Sequence, residues 1–293
     1  ESEWLESLIG NDGQDGQDGQ DGQNGQDGQD GQDGQDGQDG SDGLSAYDIA
    51  VSYGFEGSEQ EWIQAIQGEN NQINFADIIS QNNLLQSVIT LKSEKQEESS
   101  LYSGVIISHD GYILTNAHGL IYEYPEEGNE EVLYDNFSAM FRGDETEYPI
   151  EVIDYNLHKD LAIVKFQTDF QQLDVVEITS AHQHDIGDST IIVGNAAGLG
   201  ITASVGIISE TPQLYEVEYM EDICEAIRTD SAVNPGNSGG GLFNDEGELI
   251  GIVTFKLSVP YENLGFALTS DFTIDYIDFV ADEKDIEIDY IEA

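Results

Sequence analysis

Three stretches, far apart along the chain, each present one side chain suited to acyl-transfer chemistry. Gly111-Tyr-Ile-Leu-Thr-Asn-Ala-His118 leads an apolar strand pattern into a histidine. His158-Lys-Asp160-Leu-Ala-Ile-Val-Lys-Phe166 leads from an aspartate into a strand that reads as buried. Asn234-Pro-Gly-Asn-Ser238-Gly-Gly-Gly241 sets a serine in a glycine-rich turn. A serine hydroxyl is a weak nucleophile at neutral pH and needs a base within hydrogen-bond reach. Histidine titrates near neutrality, so it can take that proton and return it to a leaving group. A buried aspartate fixes the histidine tautomer and stabilises the imidazolium. Glycines around Ser238 free the backbone to aim N–H groups at one point, where they stabilise a developing oxyanion. The order His, Asp, Ser is one of the known chain orders for such a triad. Alone, each motif is an ordinary turn; jointly, in this order, they select His118, Asp160 and Ser238.

Short strands must position these side chains. Ser87–Lys92, Gly104–Ser108, Tyr112–Thr115, Ile150–Asp154, Leu161–Phe166, Thr190–Val193, Leu249–Thr254 and Leu264–Leu268 are rich in Ile, Val, Tyr and Thr and are separated by Gly, Asn and Asp. Leu214–Tyr219 includes period-two alternation. Many short strands at this spacing predict an all-β sandwich or barrel, and roughly 200 residues fill two small barrels. A helix is predicted over Phe75–Gln86, in a linker at 69–83 and just beyond. The strand-rich region is placed at 84–275, with an acidic tail at 276–293 that is either an edge strand or frayed.

The chain has 293 residues, 60 Asp+Glu against 8 Lys+Arg, and a formal net charge of −52. Such a balance excludes nucleic-acid binding as the main activity, since a phosphate backbone needs a basic face. It argues equally against docking on anionic membranes. The longest apolar runs, such as Leu161–Val164 and Ile191–Val193, are far too short to span a bilayer, so no membrane insertion is expected. All basic residues lie beyond residue 43, yet that part is still strongly acidic, and its self-repulsion would ease in a salty or cation-rich medium. The single cysteine, Cys224, excludes an internal disulfide and reads as buried packing. His182-Gln-His184 has the spacing of a metal clip, but with no Cys or third His nearby it reads as a polar loop. Glu123–Glu131 lacks ordered ligand spacing and reads as a solvated acidic loop, and His158 as a solvated turn residue. No metal and no cofactor is expected.

Residues 13–43 carry Gly at every third position, mostly in Gly-Gln-Asp triplets. Collagen requires that period, because only Gly fits the crowded axis of its triple helix. Proline is absent from the tract, and its aspartates repel, so a flexible acidic spacer is the competing expectation. An internal repeat flanks it: Glu1-Ser-Glu-Trp-Leu-Glu-Ser-Leu-Ile-Gly10 matches Ser58-Glu-Gln-Glu-Trp-Ile-Gln-Ala-Ile-Gln-Gly68. Apolar residues of the second copy fall at helical spacing behind Ser58 as N-cap. The organisation expected is thus the end of a helical module at 1–10, a collagen-like tract at 11–43 and a short helical module at 44–68. Residues 1–10 look like the tail of an earlier copy, and the first residue is not Met, so the natural chain is expected to extend further N-terminally. These modules resemble those flanking collagen-like stretches in bacterial surface proteins, and their role is structural.

Residues from about 84 to 270 resemble a trypsin-like serine protease of the bacterial HtrA/DegP type. Besides the three motifs, the likeness includes Val193-Gly-Asn-Ala-Ala-Gly-Leu-Gly200, Val205-Gly-Ile-Ile-Ser209 and Ile227–Ser238. It implies two perpendicular six-stranded β-barrels with the triad in the cleft between them. It further implies His118 as general acid/base, Asp160 as its orienting partner and Ser238 as nucleophile, with the backbone N–H groups of Gly236 and Ser238 as oxyanion hole. Ala232 stands where relatives specific for basic side chains carry an acid, so small or aliphatic side chains are expected in the first pocket. Thr254 and Phe255 resemble the strand that pairs with substrate backbone. Departures are Gly241 in place of a usual Pro, Ala196 where Gly-Asn-Pro is common, Asn237 where zymogen-type relatives have Asp, and too short a segment after Asn263–Leu268 for a PDZ domain. The expected partners are polypeptide substrates, with a homotrimer as a hypothesis because collagen helices and HtrA-type proteases are three-fold assemblies. A secreted or surface-displayed serine endopeptidase is the expectation; its rival is a protease fold that has lost turnover and serves in binding or structure.

Overall fold

In the computed structural model, residues 45–67, 73–124, 131–216, 223–256 and 264–293 are described. The first copy of the repeat, the Gly-X-Y tract and most of Glu123–Glu131 lie outside them. Two compact units divide the chain at residues 70 and 71.

Among its described residues the first unit holds two short helices, α1 (Ala46–Ser52) and α2 (Glu59–Gln67). Each begins with a capping box. Ser45 Oγ accepts from Asp48 N while Asp48 accepts from Ser45 N, and Ser58 and Glu61 repeat the exchange. Such reciprocal bonds satisfy donors that a helix start leaves open. Ser58 therefore caps as its sequence position predicts.

The second unit opens with α3 (Phe75–Gln81) and α4 (Leu84–Ser87). One continuous helix to Gln86 was the sequence expectation; the break falls at Asn82-Asn83, where Asn83 takes a left-handed φ of 49°. Asparagine tolerates that conformation better than most residues, and a helix cannot continue through it. Among the described residues sixteen strands follow. Those of the first half are β1 (Val88–Lys95), β2 (Glu98–Ile106), β3 (Tyr112–Thr115), β4 (Ile121–Glu123), β5 (Val132–Leu133), β6 (Asn136–Met140), β7 (Tyr148–Asn156) and β8 (Leu161–Phe166). Then come β9 (Glu177–Ile178), β10 (Ser189–Gly194), β11 (Thr202–Glu216), β12 (Ile223–Thr229), β13 (Gly241–Phe243), β14 (Leu249–Lys256), β15 (Gly265–Thr269) and β16 (Ile291–Glu292).

Six strands close the first barrel in the order β1-β2-β3-β8-β7-β6. The second runs β13-β10-β11-β12-β15-β14 and closes through the β13–β14 pairing. This is the two-barrel, chymotrypsin-like fold. Side-chain alternation explains why several of its strands read as unbroken apolar runs. Ile113, Ala162, Val164 and Phe166 point into the first barrel, while Leu114, Leu161 and Ile163 point out into a third core. Ile192 faces the second barrel's interior, and its neighbours Ile191 and Val193 face that same shared core. With successive side chains on opposite faces, a strand buried on both must be apolar at every position.

Helix α5 (Ser270–Lys284) crosses the boundary that the sequence places at 275. Residues 276–293 are therefore no separate tail. Thr273, Tyr276, Ile277 and Val280 are buried at helical spacing, and Thr269 Oγ1 accepts from Phe272 N at the start. Tyr276 Oη donates to Asp154 Oδ2 at 2.9 Å and Lys284 Nζ pairs with Asp154 Oδ1 at 3.0 Å, which ties the helix to β7. After it, β16 pairs in parallel with β9, itself parallel to β14.

Candidate active site

His118 and Asp160 are brought together by strand register. β3 and β8 run antiparallel with Thr115 opposite Ala162, so the end of β3 lies beside the start of β8. A 3-10 turn, Ala117–Leu120, then carries His118, and Asp160 immediately precedes β8. His118 Nδ1 sits 2.9 Å from both carboxylate oxygens of Asp160, and His118 N donates to Oδ1 at 3.0 Å. Asn116 Nδ2 donates to the Asp160 carbonyl at 2.9 Å. Asp160 is fully buried, with a left-handed φ of 51°, and Thr254 Oγ1 donates to its Oδ2 at 2.6 Å. Burial alone would pull the His118 imidazolium down; the charge and hydrogen bond of Asp160 outweigh it and raise the group above its ordinary value.

Ser238 lies in the turn between β12 and β13. Gly236 and Gly239 take φ of +94° and +80°, values that side-chain-bearing residues rarely adopt. The turn is pinned to β14 by Gly239 N to Val253 O and Val253 N to Gly240 O, both 2.8 Å. Ser238 Oγ donates to the Thr254 carbonyl oxygen at 3.0 Å, and among the described hydrogen bonds none joins it to His118. Thr254 thus contacts Asp160 through its hydroxyl and Ser238 through its carbonyl. The backbone N–H groups of Gly236 and Ser238 find no acceptor among the described residues, which leaves both open to a ligand oxygen.

Ser103 of β2 fastens this turn to the first barrel. Its N donates to the Ser238 carbonyl at 2.9 Å, and its buried hydroxyl donates to the Gly236 carbonyl at 2.7 Å while accepting from Asn195 N at 2.8 Å. Thr115 Oγ1 in turn donates to the Ser103 carbonyl at 2.7 Å. A Ser103→Ala change leaves the Asn195 amide without its acceptor and the Gly236 carbonyl without its donor. A buried group so stranded costs about 1–3 kcal/mol. We expect kcat on a peptide substrate to fall about 10- to 100-fold with KM nearly unchanged, measured by steady-state kinetics. An unchanged kcat would show that Ser103 only packs.

The expected substrate contacts fare unevenly. Ala232 is exposed, and its carbonyl accepts from Asn237 Nδ2 at 3.1 Å. Phe255 pairs with Phe266 on β15 through its backbone. Thr254 is buried with its hydroxyl committed to Asp160, so only its backbone is left for a substrate. Neither that hydroxyl nor Ser103 could be read from the sequence, because no local motif marks a contact 94 or 133 residues away.

Among the described residues one group, His182, Glu225 and Asp271, brings metal-ligating atoms within 4.8 Å of one another. Their oxygens already accept protein donors: Thr269 Oγ1 on Glu225, Ser180 Oγ and Ala181 N on Asp271. His182 Nε2 lies 3.2 Å from Glu225 Oε2. Cys224 is buried, and desolvation pushes its thiol up to about 11, which keeps it unreactive.

The family model for the trypsin-like peptidase domain matches residues 102–252, more than half of the chain. This chain belongs to the trypsin-like peptidase family. A collagen triple-helix repeat matches residues 8–48. The chain is 30% identical over 208 residues to a serine protease HtrA-like protein of Staphylococcus aureus, covering 64% of this chain and 26% of that relative. It therefore spans about a quarter of the length of the curated relatives it matches. Among solved structures, the HtrA-type protease AlgW with tripeptide matches with a TM-score of 0.62 and 29% identity, over 72% of this chain and 64% of that one. A serine endoprotease from Yersinia pestis matches with a TM-score of 0.57 and 26% identity, over 72% and 68%. The family is that of trypsin-like peptidases, and HtrA-type serine proteases are among the proteins this chain is similar to in sequence and fold.

Proposed function

We propose that this chain is a serine endopeptidase acting on polypeptides through Ser238, His118 and Asp160. Its support is the contact of His118 Nδ1 with both Asp160 oxygens at 2.9 Å, beside a serine whose neighbouring amides are open. On substrate binding the Ser238 hydroxyl turns from the Thr254 carbonyl to His118 Nε2. Its oxygen attacks the scissile carbonyl as the imidazole takes its proton. The oxyanion is held by the N–H groups of Gly236 and Ser238, each such donor being worth about 2.7–4 kcal/mol. His118 then protonates the leaving amine, an acyl-enzyme forms on Ser238, and water hydrolyses it by the same steps. Substrate backbone adds alongside Thr254 and Phe255, and Ala232, which brings no charge, favours small or aliphatic side chains.

A second reading, a fold without turnover, draws on the resting hydroxyl, which donates to Thr254 and not to His118. One experiment separates the two: covalent labelling by an activated-serine phosphonate, followed against pH and located by mass spectrometry. The label is expected on Ser238. Its rate should fall as pH drops through the His118 pKa, above the usual value of about 6.5, because the imidazolium cannot act as base. Stability moves the other way. The His118–Asp160 ion pair contributes fully below the unfolded pKa and is lost as pH rises through the raised folded one. No labelling, or a flat rate profile, would rule out the assigned base and favour the silent fold.

The acidic collagen-like tract and the flanking repeat favour a secreted or surface-displayed protein. No described helix is long and apolar enough to cross a membrane. Three chains joined through the Gly-X-Y tract give the assembly.

A further inference from the structure

The helical module at 45–67 is specified in detail, yet among its described side chains none is buried. Two capping boxes set the starts of α1 and α2. Tyr47 and Trp62 meet with ring centroids 6.1 Å apart, and Tyr47 Oη donates to the Gly57 carbonyl at 2.8 Å, which closes the helix pair. None of residues 45–63 is buried. Ile49, Val51, Tyr53 and Ile63 remain 45%, 44%, 89% and 38% exposed. Tyr53 caps the C-terminal end of α1, four residues after Ile49, and its N–H donates to the Ile49 carbonyl at 3.1 Å. Domains below about 40 residues rarely bury enough apolar surface to stand alone and usually need a metal, a disulfide or oligomerisation. No cysteine lies here, and the metal-ligating group found elsewhere in the chain does not include this module.

The adjoining sequence names the missing partner. The Gly-X-Y period ends at Gly43, two residues before Ser45, in a stretch that matches a collagen repeat, and a triple helix consists of three chains in register. Three such chains deliver three modules to one place, so the modules meet at an effective concentration far above that of free chains. The tract needs such help, since it lacks proline and carries repelling aspartates. We infer that the exposed apolar side chains of this module, Ile49 of α1, the C-cap Tyr53 and Ile63 of α2 among them, pack against the same surface of two further copies of this chain. The module is then the clasp that sets chain number and register at the C-terminal end of the Gly-X-Y tract. This deepens the three-chain part of the reading above and does not depend on peptidase activity.

The test uses the full chain. Mass by analytical ultracentrifugation at micromolar concentration is expected to be that of three chains, with a triple-helix circular-dichroism signal that melts on warming. Ile49→Asp combined with Ile63→Asp should lower the mass to one chain and abolish that melt, while phosphonate labelling of Ser238 is unchanged. Ile49→Cys, which keeps a small apolar side chain, should form interchain disulfides under mild oxidation. A one-chain mass for the wild type refutes the three-chain reading itself. A wild-type trimer that survives the double aspartate change, or Ile49→Cys chains that never cross-link, refutes the clasp alone and points to the tract or the peptidase unit as the contact.

Discussion

Replacing Ser238 with alanine is expected to lower kcat on a peptide substrate about a million-fold while the chain stays folded. The magnitude follows from the role. Without Oγ no acyl-enzyme can form, and only binding and the open amides of Gly236 and Ser238 remain to assist water. The folded state loses little. The hydroxyl makes one hydrogen bond, to the Thr254 carbonyl, worth about 0.5–1.5 kcal/mol net. The turn itself is held through backbone groups by Ser103, Val253 and Gly240, which the change leaves in place. KM should move little, since the proposed pairing of substrate backbone with β14 does not use Oγ. Steady-state kinetics together with a thermal melt check both halves. A loss below a hundred-fold would place the nucleophile elsewhere. A lost melt would mean that the hydroxyl serves the fold.

Local chemistry is what marks the three candidate side chains. His118 follows an apolar strand, Asp160 precedes one, and Ser238 sits among glycines whose positive φ the turn requires. The strands Tyr112–Thr115 and Leu161–Phe166 could be bounded from sequence because turn residues end them and both their faces are buried. Helix α5 was legible in principle. Thr273, Tyr276, Ile277 and Val280 keep helical spacing, but Asp residues between them resemble an acidic tail. The β11 strand extends over Thr202–Glu216, longer than its separate apolar patches suggest, and bulges against β12 mark where the pattern slips. Thr254 and Ser103 were out of reach for another reason. Their hydroxyls act across barrels, and a threonine in a strand or a serine before a glycine carries no mark of such a partner.

The contacts of Thr254 and His118 also decide what Asp160→Asn would do: kcat should fall about ten-thousand-fold at neutral pH, with modest loss of stability. The backbone tolerates the change, since asparagine accepts the left-handed φ of 51°. The difficulty is hydrogen-bond polarity. Asp160 Oδ1 accepts from the backbone N–H of His118, a donor that cannot reverse. The asparagine carbonyl must therefore occupy the Oδ1 position, and its NH2 the Oδ2 position. There it meets Thr254 Oγ1, which can rotate and accept, and His118 Nδ1, which lies 2.9 Å from both positions; a proton on Nδ1 could reach the carbonyl at Oδ1 but would face the NH2 donor at equal distance, so the donor-to-donor contact disfavours that tautomer. To accept from that NH2, the imidazole must carry its proton on Nε2, the nitrogen that has to receive the Ser238 proton. The base is then present, in place and in the wrong tautomer, which is worth about 10⁴ in kcat. The substitution also removes the charge that raises the His118 pKa, so burial alone would act on it and pull it down. An imidazole titration followed by NMR should show His118 below its wild-type value. A purely structural Asp160 would instead yield an unfolded or weakened protein with no such tautomer signature, and activity within tenfold of wild type would remove Asp160 from the mechanism.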